Sequence, residues 1–106
     1  MKKYAVMITP TAEAHVAQAF AYIHQQSPLN AERWIRGLYR AIHALEDFAG
    51  YARAPESDYL GVELRHKIFK SHRIIYSVDQ IKKQIYVHYV WHGARRPVGE
   101  PPQPDD

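Results

Sequence analysis

The sequence predicts an α+β fold in the order β-α-α-β-β-β, with an antiparallel sheet backed by a helical hairpin. Three observations carry this. Apolar residues recur with a helical period from Ala12 to Phe48, the period drops to two after Leu64, and Pro10, Pro28, Gly50 and Gly61 punctuate the changes.

The first strand is Tyr4-Ala5-Val6-Met7-Ile8, an apolar run stopped by Thr9-Pro10. Thr9 offers an oxygen to first-turn N–H groups, and Pro10 suits the first helical position, where its missing donor is not needed. Ala12, Val16, Ala19, Phe20 and Ile23 then form one apolar stripe. Ser27-Pro28 breaks this helix, and Asn30 is the expected cap of a second. That helix buries Ala31, Trp34, Ile35, Leu38, Ile42, Leu45 and Phe48 and ends at Gly50. Gly37, inside it, costs ~1 kcal/mol relative to Ala and reads either as a close approach by a neighbouring backbone or as an ordinary surface glycine. Residues 50–61 read as a loop carrying at most a turn of helix. Three strands joined by short polar turns follow, around Leu64 to Phe69, Ile74 to Val78 and Ile85 to Trp91, as a meander whose outer face is left for solvent or a partner.

A chain of 106 residues with 46% hydrophobic and 24% charged residues is expected to form one domain, over residues 1–96. Residues 97–106 hold four of the seven prolines and read as a flexible acidic tail. No apolar window reaches the ~20 residues of a membrane span, and no signal peptide is visible, so a cytoplasmic protein is expected. The absence of cysteine excludes disulfides, thiolate metal sites and cysteine nucleophiles.

Charge is uneven. Residues 1–63 carry six Lys/Arg and seven Asp/Glu, whereas 64–96 carry eight Lys/Arg against Asp79 alone. A basic segment interleaved with Tyr, Trp and His suits an acidic partner, either nucleic acid or peptide. The expectation is that Arg65, Lys67, Arg73 and Arg95 converge on one exposed surface. No phosphate loop, nucleophile elbow or metalloprotease motif is present, and no cofactor or metal is expected. His88 and His92 on one strand would stand ~13 Å apart, too far to share an ion. What remains is metal-free acid–base chemistry, in which Arg65, Lys67 and Arg73 hold phosphate and His66, His72, His88 or His92 moves protons, or no catalysis at all.

Leu64-Arg65, then His72-Arg73-Ile74-Ile75-Tyr76-Ser77-Val78-Asp79, then Val87-His88-Tyr89-Val90-Trp91-His92-Gly93-Ala94-Arg95-Arg96, behind a hairpin started by Thr-Pro, resembles the RelE/ParE superfamily of type II toxins over roughly residues 4–97. The resemblance implies a small sheet backed by a helical hairpin, and a cognate antitoxin that wraps the toxin with an acidic amphipathic segment. RelE-like members cut mRNA on the ribosome, and that branch would use Arg65, Lys67, Arg73 and His92, or His66 as proton carrier. It departs from the pattern here, because Ser71 stands where one ribonuclease branch has Glu and no Tyr follows Arg96. ParE-like members inhibit DNA gyrase, and the long hairpin, Leu64-Arg65 and His92-Gly93-Ala94-Arg95 resemble that branch, although Arg96-Pro97 replaces an acidic residue often found there. The favoured expectation is therefore a plasmid-stabilising, gyrase-directed toxin. Arg65, Arg73, His92, Arg95 and Arg96 would then shape a binding surface or the fold. A free sheet edge would serve either the antitoxin or a homodimer.

Overall fold

The structure, a computed structural model, describes residues 2–100. Strand β1 (Ala5–Ile8) leads into helices α1 (Pro10–Gln26) and α2 (Pro28–His43), with a 3₁₀ turn over Ala44–Glu46. A short helix α3 (Ser57–Leu60) precedes β2 (Arg65–Phe69), β3 (His72–Asp79) and β4 (Gln84–His92). Local chemistry sets the helix ends. Thr9 Oγ accepts from Ala12 N–H at 3.2 Å, and Pro10 fills the first turn. Ser27 serves both helices: its N–H donates to Ile23 O and its hydroxyl accepts from Asn30 N–H. Ser27, with Pro28 behind it, is thus the cap expected at Asn30, which lies inside α2.

The sheet has strand order β1-β4-β3-β2. β2, β3 and β4 form the expected antiparallel meander, but β1 joins β4 in parallel, so the sheet is mixed. Its cause is the course of α1. Thr9 N–H binds Val87 O, and His15 on α1 accepts from Val90 N–H, so α1 carries on beside β4 in the direction of β1. α2 then returns, and β2 starts again in that direction at the far edge.

Ala12, Val16, Trp34, Leu38, Ile42 and Leu45 from the helical side bury against Ile74, Tyr76, Ile85, Val87 and Val90. Each Leu or Ile so buried contributes about 1.5–3 kcal/mol. Phe48, expected on this stripe, is 55% exposed, because the helix tightens after His43 and Leu45 is its last inward residue. Gly37 meets a side chain: a Cβ there would lie 2.9 Å from Phe69 Cζ. The opposite face of the sheet is not left open. Ala54, Leu64 and Ile75 bury there with Leu60, Tyr89, Trp91 and Val98 packed on them. Buried Ser57 stitches this cover, its hydroxyl accepting from Leu64 N–H at 2.9 Å and reaching Ala54 O at 2.8 Å. Of the tail expected at 97–106, Val98 packs on this second cluster, while 101–106 lie outside the described residues.

Candidate functional site

Cross-strand register decides which face each basic side chain takes, since directly paired residues share a face. Arg65 pairs with Tyr76 and Lys67 with Ile74, both in the helix-side core. Ile68 pairs with Arg73 and Arg73 with Trp91, on the other side. The expected convergence of Arg65, Lys67, Arg73 and Arg95 is therefore corrected: Arg65 and Lys67 lie on the helix side, away from Arg73. Both are tethered to backbone oxygens. Arg65 Nη1 donates to Tyr51 O, and Lys67 Nζ donates to Ala41 O at 2.8 Å.

Arg73 is only 8% exposed and Glu56 0%, and they form a two-point ion pair, Nη1 to Oε1 at 3.0 Å and Nη2 to Oε2. His66 Nδ1 lies 3.0 Å from the same Nη1, and Val98 N–H donates to Glu56 Oε2 at 2.9 Å. Burial pushes the Glu56 carboxyl up, but the hydrogen bonds from Arg73 and Val98 outweigh it and hold the group below its ordinary value. Burial and the Arg73 guanidinium hold His66 low, against a smaller pull from Glu56. Glu56 gave no sign in the periodicity of the chain. The available signal was Arg73 itself, since an arginine beside Ile74-Ile75 on a central strand demands a carboxylate partner.

A shift in register between Ile75 and Tyr76 leaves His88 as an extra residue on β4. Val87 and Val90 both face the helices, while His88 reaches Ser77 Oγ on the other face at 2.7 Å. His88 and His92 therefore sit on opposite faces, not only far apart. Among the described residues, no group of three or more His, Cys, Asp or Glu gathers as a metal site. Beyond Val87, β4 loses its neighbour β1, and the His15 imidazole takes over by accepting from Val90 N–H at 3.3 Å. Burial, and then the Arg95 charge, hold His15 below its ordinary value.

At this end of the sheet a cleft of about 590 Å³ opens between α1, the start of α2 and the end of β4. Ala19, Ile23, Trp34 and Val90 give it apolar walls, and His15, His72, His92, Lys70 and Arg95 give it donors and charge. Among the described residues, no carboxylate lines it. His72 pairs with His92 across the strands, and the rings meet edge to face at 5.1 Å. Burial, and then His92, hold His72 low, and its Nδ1 is buried with no hydrogen-bond partner. Arg95 stacks 3.7 Å above the Trp91 ring, whose Nε1–H donates to Arg96 O at 2.7 Å. Gly93 makes the turn beneath them: its N–H donates to Ser71 O at 2.7 Å, and a Cβ would lie 3.3 Å from that oxygen. The arrangement offers an apolar socket with a cationic rim, which suits binding, and it lies apart from Arg73, which in turn is on the other face from Arg65 and Lys67.

No curated protein matches the chain. A family model described as the ParE toxin of type II toxin-antitoxin system, parDE, matches residues 6–97. The matched stretch takes in the helical hairpin, the Arg73 strand and the His92-Gly93-Ala94-Arg95 ending, and the chain belongs to this family of ParE toxins.

Proposed function

We propose that this toxin works by binding and not by cutting: it inhibits DNA gyrase in the cytoplasm and is neutralised by a cognate antitoxin. The observation that carries this reading is the fate of Arg73. An mRNA-cutting relative would need that guanidinium free beside Arg65 and Lys67 to steady a phosphate. Here it is buried against Glu56, with Arg65 and Lys67 on the far side of the sheet. In this reading Arg73 holds the fold, while His92, Arg95 and Arg96 belong to the binding surface. An acidic amphipathic antitoxin segment fits the cleft at the end of β4, whose walls are apolar and whose rim carries Lys70 and Arg95 and, among the described residues, no carboxylate.

The test is a supercoiling assay on relaxed plasmid with purified gyrase and micromolar toxin. Loss of supercoiling, restored by the antitoxin encoded beside the toxin, is expected. Unchanged supercoiling together with codon-phased mRNA cuts in a translation extract would overturn the reading.

A further inference from the structure

Cations from two segments meet on one face of the fold: those of β2 and its turn, and those of helix α2, which the sequence did not single out. On α2, Arg33, Gly37 and Arg40 fall on one flank by their spacing of four and three residues. That flank lies over β2. Gly37 sits against Phe69, Lys67 Nζ reaches Ala41 O, and Trp34 touches His72 at the start of β3. Moving up β2 therefore moves back along α2, and two rows of cations run side by side. Arg65 and Lys67 on β2, with Lys70 in the turn after it, make one row, and Arg33 and Arg40 on α2 the other. Arg33, Arg40 and Lys70 are exposed, and among the described residues Arg33 and Arg40 have no acidic partner. Glu32 is spent on Arg36 at 3.2 Å, and Glu63 lies 3.5 Å from Arg65.

The geometry points to this α2/β2 strip as a contact surface for the phosphate backbone of duplex DNA. It deepens the gyrase reading, because a toxin aimed at gyrase meets an enzyme with DNA on it. Two features favour a phosphate backbone over an acidic peptide. Along the middle of the strip Gly37 has no side chain and Phe69 is turned in against it; exposed Phe48, against Tyr51 beneath Lys67, gives one apolar ring at the end of the strip, fewer than the several anchors an amphipathic peptide uses to stay bound. Arg33 and Arg40 are also two helical turns apart, ~10 Å along the axis, about the rise of three phosphates on one strand. Their contact is with backbone charge and carries no base preference.

The experiment is fluorescence anisotropy of a labelled 20-base-pair duplex with purified toxin alone, from 50 to 200 mM KCl, beside a labelled acidic peptide of similar length. The expected result is binding to unrelated duplex sequences alike, with log K falling against log salt by about 0.9 for each phosphate neutralised. In Arg33→Gln/Arg40→Gln the slope should drop by about 2 and affinity at 100 mM by about tenfold or more. The control Lys82→Gln/Lys83→Gln, at the exposed β3–β4 turn, should bind as the parent does. No duplex binding at 50 mM KCl, an equal loss in the control, or binding of the peptide alone would overturn the proposal. Gyrase is absent from this measurement, so its failure leaves the gyrase reading standing, and a failed supercoiling assay leaves the strip standing.

Discussion

The two faces of the sheet are held by different physics. Toward the helices, Trp34, Leu38, Ile42, Ile74 and Val87 make a core without charge. Toward the loop and the C-terminal segment, a smaller cluster of Ala54, Leu64 and Ile75 surrounds the Glu56–Arg73 pair. The first face gains from each apolar area it removes from water. The second carries a desolvated ion pair whose attraction must offset the cost of taking both charges out of water. An apolar core tolerates the loss of one methyl group, whereas half an ion pair is an uncompensated charge.

Breaking that pair is the largest expected effect. Glu56→Ala should cost about 3–5 kcal/mol in urea unfolding, because Arg73 is left charged and buried. Glu56→Leu with Arg73→Met should recover most of the loss, since two apolar side chains can fill the volume. A double variant no better than Glu56→Ala would mean that the contacts to Val98 and His66, not the charge pair, hold this face.

Acid should loosen both faces, in two steps. His15, His66, His72 and His88 are all held below the ordinary imidazole value, chiefly by burial. Each takes up a proton on unfolding at a pH between its folded value and about 6.5, so their support is complete above about 6.5 and declines as pH falls through it. Glu56 is held low in the fold, so its support is present above about 4.3 and is lost as pH falls further. Unfolding measured from pH 8 to 3 should show both declines. Glu56→Gln should keep the first and lose the second, which assigns the lower step to the charged face.

How much of this was legible follows the same division. The helical hairpin and the meander were readable because one side of each element faces a continuous apolar core, which imposes a period on Val16, Leu38, Ile74 and Val87. The second face leaves no period. Its members come from the loop at Ala54 and Glu56, from β3 and from Val98, and the chain brings them together only once folded. The mixed sheet was hidden for a related reason: nothing in Tyr4 to Ile8 says which edge β1 joins or in which direction. The extra residue at His88 was also silent, because Val87-His88-Tyr89-Val90 keeps an apolar alternation whether or not the strand slips by one. Basic residues were easy to see, but their faces depended on register, so Arg65 and Arg73 looked alike in sequence and do opposite things.

A smaller effect is expected inside the apolar face. Tyr76 is fully buried, and its hydroxyl donates to Ala49 O where the chain leaves the 3₁₀ turn. Tyr76→Phe keeps the ring and leaves that carbonyl without its donor, which should cost about 1–3 kcal/mol in urea unfolding. A change below about 0.5 kcal/mol would show that the Ala49 carbonyl finds another donor once the hydroxyl is gone.

The smallest stability effect belongs to Arg95, and it separates fold from function most cleanly. Its guanidinium lies over Trp91 at the rim of the cleft, exposed, so the stacking is worth about 0.5–1 kcal/mol. Arg95→Gln should therefore unfold within about 1 kcal/mol of the parent. If the rim is the binding surface, the same variant should weaken gyrase inhibition or antitoxin binding severalfold at unchanged fold content by circular dichroism. Arg73→Gln should behave in reverse, losing activity only to the extent that it loses structure. Parent-like inhibition by Arg95→Gln would move the working surface away from the end of β4. An Arg73→Gln protein that is fully folded yet inactive would return Arg73 to direct contact with the target.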